Sequence, residues 1–379
     1  MLFTYKYVHN HEILKFQRYS NFLFLKVWSR ARTPFDSTKL DRCQDLKDIY
    51  ESFDYLTDPE KWGYQFNLSI EKIYAEFLKL SKAQKKQLRH WYKLNNNIHS
   101  LFVNTNKLPI SYKTLDLLYP SLSIELKKFY KRLYGNNSPF LLKDFGDFNK
   151  IKKSHYKEFF NINFGGHEGL CPFCGMNPIK GNDHSKLEAY DHLIPKGKYP
   201  FSSINFQNLA IMCDECNSTY KHERIIILTK SSKRVAAVRR KAFYPYSKSK
   251  WQIGLEISLT KPFSKKLKNS EISIKATCSK REDEVKSWME TFGIEERYKA
   301  KLLGQFSGQK WYDKFSSGIH NARIKQNKDL TYDEWAKELV DECNEYPLVE
   351  LNFLKKAFYE ECLRISKTSA QSKPSIHVS

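Results

Sequence analysis

Two C-x-x-C pairs constrain this chain more than any other feature: Cys171 with Cys174, and Cys213 with Cys216. Each pair can chelate from a tight turn. Two such pairs a few tens of residues apart supply four thiolates at tetrahedral positions. Pro172 and Gly175 favour the turn at the first pair. The other cysteines, Cys43, Cys278, Cys343 and Cys362, are scattered singly and read as small buried apolar residues. A disulfide framework suits small secreted domains better than a chain of 379 residues. A redox pair would be expected singly and in a thioredoxin-like setting. The expectation is a structural zinc site, closed by four sulfur ligands and unable to activate water.

Charge narrows the partners. The chain carries 64 Lys and Arg against 42 Asp and Glu, a net charge of +22. Such a field attracts phosphate backbones, so nucleic acid is the expected partner. No stretch approaches the roughly 18 to 20 continuous apolar residues of a spanning helix, and no membrane role is expected. The opening Met-Leu-Phe-Thr-Tyr-Lys-Tyr has neither the basic start nor the long apolar run of a secretory signal, and the expected location is cytoplasmic. With 41% hydrophobic and 15% aromatic residues the chain can bury a core, and its length suggests two or three domains.

Three regions follow from the patterning. Residues 1–155 read as mainly helical, with a targeting or partner-binding role. In the run from Ile70 to Tyr92, Ile70, Ile73, Tyr74, Phe77, Leu78 and Leu80 make an apolar stripe near the 3.6 period. Asn95–Asn97 and Gly135–Pro139 read as loops. Residues 156–250 hold the chemical motifs. From Leu228 to Thr277, thirteen Lys or Arg stand against two Glu, and phosphate contact is expected of this tract in preference to a merely solvated face. Residues 251–379 begin with Trp251 to Leu259 and Glu271 to Cys278, which alternate apolar and polar residues like paired strands, joined by a loop with Lys265, Lys266 and Lys268. Helices follow through Val285, Trp288, Met289 and Phe292, and again after a capping box of Thr331 with Glu334. The tail ending Ser-Lys-Pro-Ser-Ile-His-Val-Ser reads as frayed.

Between the cysteine pairs lie Tyr190-Asp191-His192-Leu193-Ile194-Pro195-Lys196 and Asn205-Phe206-Gln207-Asn208-Leu209; Asn217 follows the second pair at once, with Lys221 four residues on. Hydrolysing a phosphodiester takes an activated water and neutralisation of charge on the transition state. Histidine, with an ordinary pKa near 6.5, suits the base, and His192 is the candidate. The Asp191 carboxylate and the Asn217 amide oxygen are hard ligands suited to Mg²⁺ or Mn²⁺. On a regular strand Asp191 points away from His192, so a bulge or twist is expected at the strand end. Lys221 could face the same phosphate as Asn217, one helical turn away. His222 falls off that face, and His184 reads as part of a solvated turn. Taken alone, an Asp-His pair means little, and Asn205 or Asn208 could simply close a turn.

In this order and spacing, Cys171 to Glu223 resembles the HNH endonuclease family, in which a D-H-hydrophobic-hydrophobic-P strand end, an N-L loop and a C-x-x-C-N helix start build a ββα-metal site. The resemblance implies that His192 is the general base and that Asp191 and Asn217 hold a catalytic Mg²⁺ or Mn²⁺. It implies that Asn208 fixes the loop and the base's orientation, and that the product carries a 5′ phosphate and a 3′ hydroxyl. Asn217 stands where the family's last histidine is often found, and its amide oxygen favours Mg²⁺ over zinc there. The implied fold is α+β, with largely helical flanks around a small ββα-metal core and a short antiparallel sheet. DNA is favoured over RNA as substrate. Similar modules occur in anti-phage systems, some with an ATPase as regulatory partner. Two alternatives stay open: a zinc-stabilised nucleic-acid-binding module that does not cut, and an RNA (tRNA)-cleaving nuclease gated by a partner.

Overall fold

Aromatic side chains at helical spacing organise the amino-terminal third of the chain, seen here in a computed structural model that describes residues 1–230, 236–326 and 331–371. The Leu14–Phe22 helix runs on through tighter and wider turns to Arg30 and buries Phe24 and Trp28. Phe24 stacks on Tyr92 with ring centroids 4.1 Å apart, and Trp28 Nε1 donates to Ile70 O at 3.0 Å. In the expected stripe, Ile70, Ile73, Tyr74 and Phe77 are buried, while Leu78 and Leu80 are half-buried. The run from Ile70 to Tyr92 is nevertheless two helices, Trp62–Leu78 and Lys82–Asn96. The break lies at Ser81, whose backbone is extended and whose hydroxyl accepts from Gln84 N at 3.2 Å while Gln84 Oε1 accepts from Ser81 N. This capping box starts the second helix afresh. Asn95–Asn97 is a helix junction instead of an open loop, because Asn97 caps the Ile98–Val103 helix. Gly135 to Pro139 does form a turn, with Gly135 at φ 89°.

Among the described residues, three two-stranded antiparallel sheets complete an α+β fold: β1 (Gly169–Leu170) with β2 (Pro178–Ile179), β3 (Tyr190–His192) with β4 (Leu209–Ile211), and β5 (Gly254–Leu259) with β6 (Ile272–Thr277). The last pair is the hairpin expected from alternation. It packs on the Asn352–Gln371 helix, where Glu361 Oε1 accepts from Leu259 N at 2.7 Å. The Thr331–Glu334 capping box forms, with Glu334 N donating to Thr331 Oγ1 at 3.2 Å. The tail expected to fray lies outside the described residues from 372 onward.

Two apolar cores form, and each draws residues from both sides of position 155. One apolar core gathers residues from Ile13 to Ile151 together with Phe201, Ile204, Phe206 and Leu209. The other joins the cysteine region and the carboxy-terminal helices to Met1, Tyr5 and Val8. The first residues cross over: Leu2 N donates to Pro172 O at 2.8 Å, Tyr5 Oη to Ile211 O at 2.9 Å, and Trp251 Nε1 to Met1 O at 2.7 Å. Tyr190 packs against both cores, which places β3 at their seam.

The basic tract is divided in its use. Arg239 donates to the main-chain oxygens of Lys107, Ile227 and Asn104 at 2.8–3.0 Å, and Arg240 is buried against Glu290, so these two cations hold the fold. Lys265, Lys266 and Lys268 are exposed, while Lys233 and Arg234 lie outside the described residues. No helix among the described residues is long and apolar enough to cross a membrane.

Candidate active site

The first cysteine pair sits in the turn joining β1 and β2. Gly175 N donates to Cys171 O at 2.7 Å, and Cys171 N donates to Asn177 O at 3.0 Å. Gly175 takes φ 67°, a left-handed conformation that favours glycine. The second pair follows β4 and enters a short wide helical turn, Glu215–Lys221. In it His222 N bonds back to Asn217 O at 2.8 Å, five residues away. The chain leaves at His222, with φ 44°. This single turn replaces the regular helix expected after Cys216.

All four cysteines are buried, and their sulfurs lie within 4.8 Å of one another, so they could hold a metal ion such as zinc. The surroundings fit thiolates. Cys174 Sγ accepts from Met176 N at 3.4 Å, Cys213 Sγ from Asn177 Nδ2 at 3.5 Å, and Cys171 Sγ from Cys213 N at 3.5 Å. Arg297, from the Ile294–Leu303 helix, donates Nη1 to Cys216 Sγ at 3.3 Å and Nη2 to Glu215 Oε2 at 2.6 Å. A buried cation and several N–H groups aimed at sulfur favour the charged ligand set. Trp288 Nε1 to Phe173 O and Tyr298 Oη to Cys174 O, at 2.6 and 2.8 Å, tie the carboxy-terminal helices to the same turn.

The β3–β4 pair carries the rest. Its register is regular, Asp191 opposite Ala210 and His192 opposite Leu209, and Leu193 N continues it to Asn208 O at 2.8 Å. No bulge interrupts these three residues, contrary to the irregular strand end expected. Adjacent residues on such a strand point to opposite faces, and each finds its own partners.

His192 Nε2 lies 3.0 Å from Ser203 O and 3.1 Å from Tyr134 Oη, whose hydroxyl also donates to Ser203 O. A carbonyl only accepts, which assigns the proton to Nε2 and leaves the Nδ1 lone pair free. Burial, and then the Lys196 charge, push this imidazole down to about 3, so it is neutral at pH 7. The ring lines a cavity of about 490 Å³ with an aromatic floor of Phe16, Phe140, Phe148 and Phe206 and with Lys152 and Lys196 at its margin.

Asp191 finds Lys221. The Lys221 ammonium is 1% exposed, 2.7 Å from Asp191 Oδ2, and donates to His192 O at 2.7 Å. Burial pushes the Asp191 carboxyl up and the lysine down, each shift opposed by the other's charge. Oδ2 is buried and its close partner is the Lys221 ammonium. Lys221 thus neutralises a buried carboxylate and does not stand open to solvent beside Asn217. Asn217 itself is half-buried in the wide turn, its N–H bonded to Cys213 O at 3.0 Å.

Asn208 is fully buried. Its Oδ1 accepts from Ile194 N at 2.8 Å, and its Nδ2 donates to Ile194 O and Ser202 O at 3.0 and 3.1 Å. The amide staples the segment after His192 to the segment ending in Ser203. Asn205 is also buried and donates to Asn96 O at 2.9 Å, while Asn96 Nδ2 donates to Phe201 O at 2.8 Å. The Lys82–Asn96 helix therefore holds the loop whose carbonyl orients the histidine. His184 and His222 are exposed.

Compared with family models, curated proteins and solved structures, this chain matches none.

Several residues of the site carry no sequence motif. Tyr134 follows a helix and precedes an ordinary turn, Ser203 acts through its backbone, and Arg297 lies 81 positions from the sulfur it touches. Only the positive charge of Arg297 could have suggested a thiolate partner, and nothing local singles it out among 64 basic residues.

Proposed function

We propose that the chain is a metal-dependent nuclease of the HNH type that hydrolyses phosphodiester bonds of nucleic acid, DNA in preference to RNA. The observation that carries this reading is the state of His192. It is a neutral imidazole with Nε2 committed to Ser203 O and Nδ1 free, lining a cavity, on a strand paired with the one that leads into the four-cysteine frame.

The cysteine quartet would hold zinc as a structural clamp between the β1–β2 turn and the wide helical turn. Asp191 and Asn217 would offer a carboxylate and an amide oxygen to Mg²⁺ or Mn²⁺, hard oxygen ligands that suit such an ion. When bound, that ion supplies neutralisation of the phosphate charge and acidification of water. His192 takes the proton from the attacking water at Nδ1. An arriving phosphate adds negative charge beside the ring, offsets the influence of Lys196 and raises the basicity of the imidazole. Asn208 keeps the ring's carbonyl partner in place, a positioning role. Lys221 must release Asp191 when ion and substrate enter, because its ammonium lies against the carboxylate; β3 turns Asp191 and His192 to opposite faces, so the strand end must also twist for both to serve one site.

That same ion pair favours the second reading, a zinc-stabilised module that binds nucleic acid without cutting. The test is incubation of purified protein and its His192→Ala variant with DNA and RNA pools in Mg²⁺, Mn²⁺ or chelator. Metal-dependent cleavage lost in the variant supports the nuclease. Folded, zinc-loaded protein that cuts neither pool supports the binding module.

A further inference from the structure

Six cationic side chains converge on a groove of about 700 Å³ in the amino-terminal core, away from the cysteine frame: Arg30, Arg32, Lys82, Lys85, Lys86 and Arg89. Ser29 and Ala31 complete its lining. Positions 82, 85, 86 and 89 are spaced i, i+3, i+4 and i+7 and so make one face of the Lys82–Asn96 helix. Among the described residues no carboxylate pairs with any of the six. Two of them are fixed in place: Lys85 Nζ donates to Ala31 O at 2.8 Å and Arg89 Nη1 to Leu25 O at 3.2 Å. Burial and the neighbouring Arg32 charge hold Lys85 below the usual lysine range. Like charges one helical turn apart destabilise a helix, and this face repeats the arrangement with no anion of its own to relieve it.

We infer that this groove is a phosphate-binding site that grips the backbone of a nucleic acid strand, separate from the His192 cavity. Its lining identifies the ligand's chemistry. It offers guanidinium and ammonium donors and no aromatic ring on which a base could stack. That favours backbone phosphates over a free nucleotide. Placement gives the groove a use. The helix that begins there ends at Asn96, which holds the loop around Ser203. Its 15 residues span about 21 Å at 1.5 Å per residue. From Arg89, the last helix residue in the groove, to Asn96 the helix rises about 10 Å, so a duplex running along it would reach the His192 loop after roughly three base-pair steps of 3.4 Å. Only this last point rests on the proposed nuclease reading; binding in the groove does not.

The test is binding without cutting. Labelled DNA duplex is titrated with full-length zinc-loaded protein in the absence of added Mg²⁺ or Mn²⁺, across a range of salt. Wild type is compared with a groove variant, Arg32→Gln/Lys82→Gln/Lys86→Gln, and with a control that removes the same charge from exposed positions of the carboxy-terminal helices, Lys301→Gln/Lys310→Gln/Lys337→Gln. Each phosphate contact contributes about 0.9 to the slope of log affinity on log salt. The groove variant should show a slope shallower by about 2 to 3 and at least tenfold weaker binding at low salt. The control should fall clearly short of both. Equal losses in the two triple variants would reduce the effect to net charge and overturn the inference. So would a groove variant that binds like wild type, or a nucleoside triphosphate that displaces duplex from wild type at the groove variant's expense. A His192→Ala protein that fails to cut yet keeps the wild-type salt slope separates loss of catalysis from loss of the groove.

Discussion

Lys221→Met tests the central ion pair of the site. The substitution keeps most of the side-chain volume and removes the ammonium that lies 2.7 Å from Asp191 Oδ2. At that separation and an effective dielectric near 20, the pair attracts by about 6 kcal/mol before desolvation is subtracted. Removing one member of a buried pair typically costs about 3–5 kcal/mol, because the other charge is left unpaired. Lys221 also forfeits its bond to His192 O, so the upper half of that range is expected. Asp191→Asn removes the charge from the other side, and the double variant leaves neither group stranded. Urea unfolding of the zinc-loaded proteins near neutral pH, read with one probe throughout, should show the double variant losing less than the sum of the singles by about 2 kcal/mol or more. The freed carboxylate in Lys221→Met should also bind Mn²⁺ more tightly than wild type does. Additivity within about 0.5 kcal/mol, with unchanged Mn²⁺ affinity, would refute the reasoning.

Asn208→Ala strips three buried hydrogen bonds and leaves Ile194 and Ser202 main-chain groups unsatisfied. A loss of about 2–4 kcal/mol is expected in the same unfolding assay, and Asn208→Asp should not restore it, because a carboxylate would face two carbonyls. His155 is buried, bonded through Nδ1 to Tyr190 Oη at 2.6 Å, and burial pushes it from 6.5 down to about 4. The folded state then binds fewer protons than the unfolded state between those values, so its contribution is present above pH 6.5 and is lost as pH falls toward 4. By about pH 5 wild type should lose about 2 kcal/mol more than His155→Gln, measured as the difference in pH dependence. Elemental analysis should find about one zinc per chain, absent in Cys213→Ser. Arg297→Met should retain the ion but surrender it faster to a chelator, since Cys216 Sγ loses its cationic donor.

The cysteine quartet and the β5–β6 hairpin were legible because their signals are local and strict in period: two x-x spacings, and alternation from Trp251 to Cys278. The Thr331–Glu334 cap was legible for the same reason. What composition and spacing hide is burial and long-range reach. The charge count from Leu228 to Thr277 does not reveal that Arg239 and Arg240 serve main-chain carbonyls and Glu290. The spacing from Asn217 to Lys221 suggests a shared face, but not that the ammonium turns inward to Asp191. Nor does any periodicity send Met1, Leu2 and Tyr5 across to the cysteine region, where single hydrogen bonds with Pro172, Ile211 and Trp251 and burial of Met1 and Tyr5 in its core hold them. The helical spacing from Ile70 to Tyr92 does not reveal the break at Ser81, because the cap that makes it depends on one hydroxyl and one amide.

The proposed hydrolysis at Asp191, His192 and Asn217 is tested most directly by the chemistry of the cut ends. Water activated beside a divalent ion predicts 5′ phosphate and 3′ hydroxyl termini, formed with Mg²⁺ or Mn²⁺ and absent with chelator or in His192→Ala. Ends of another kind, such as a 2′,3′-cyclic phosphate made equally well in chelator, would contradict the account.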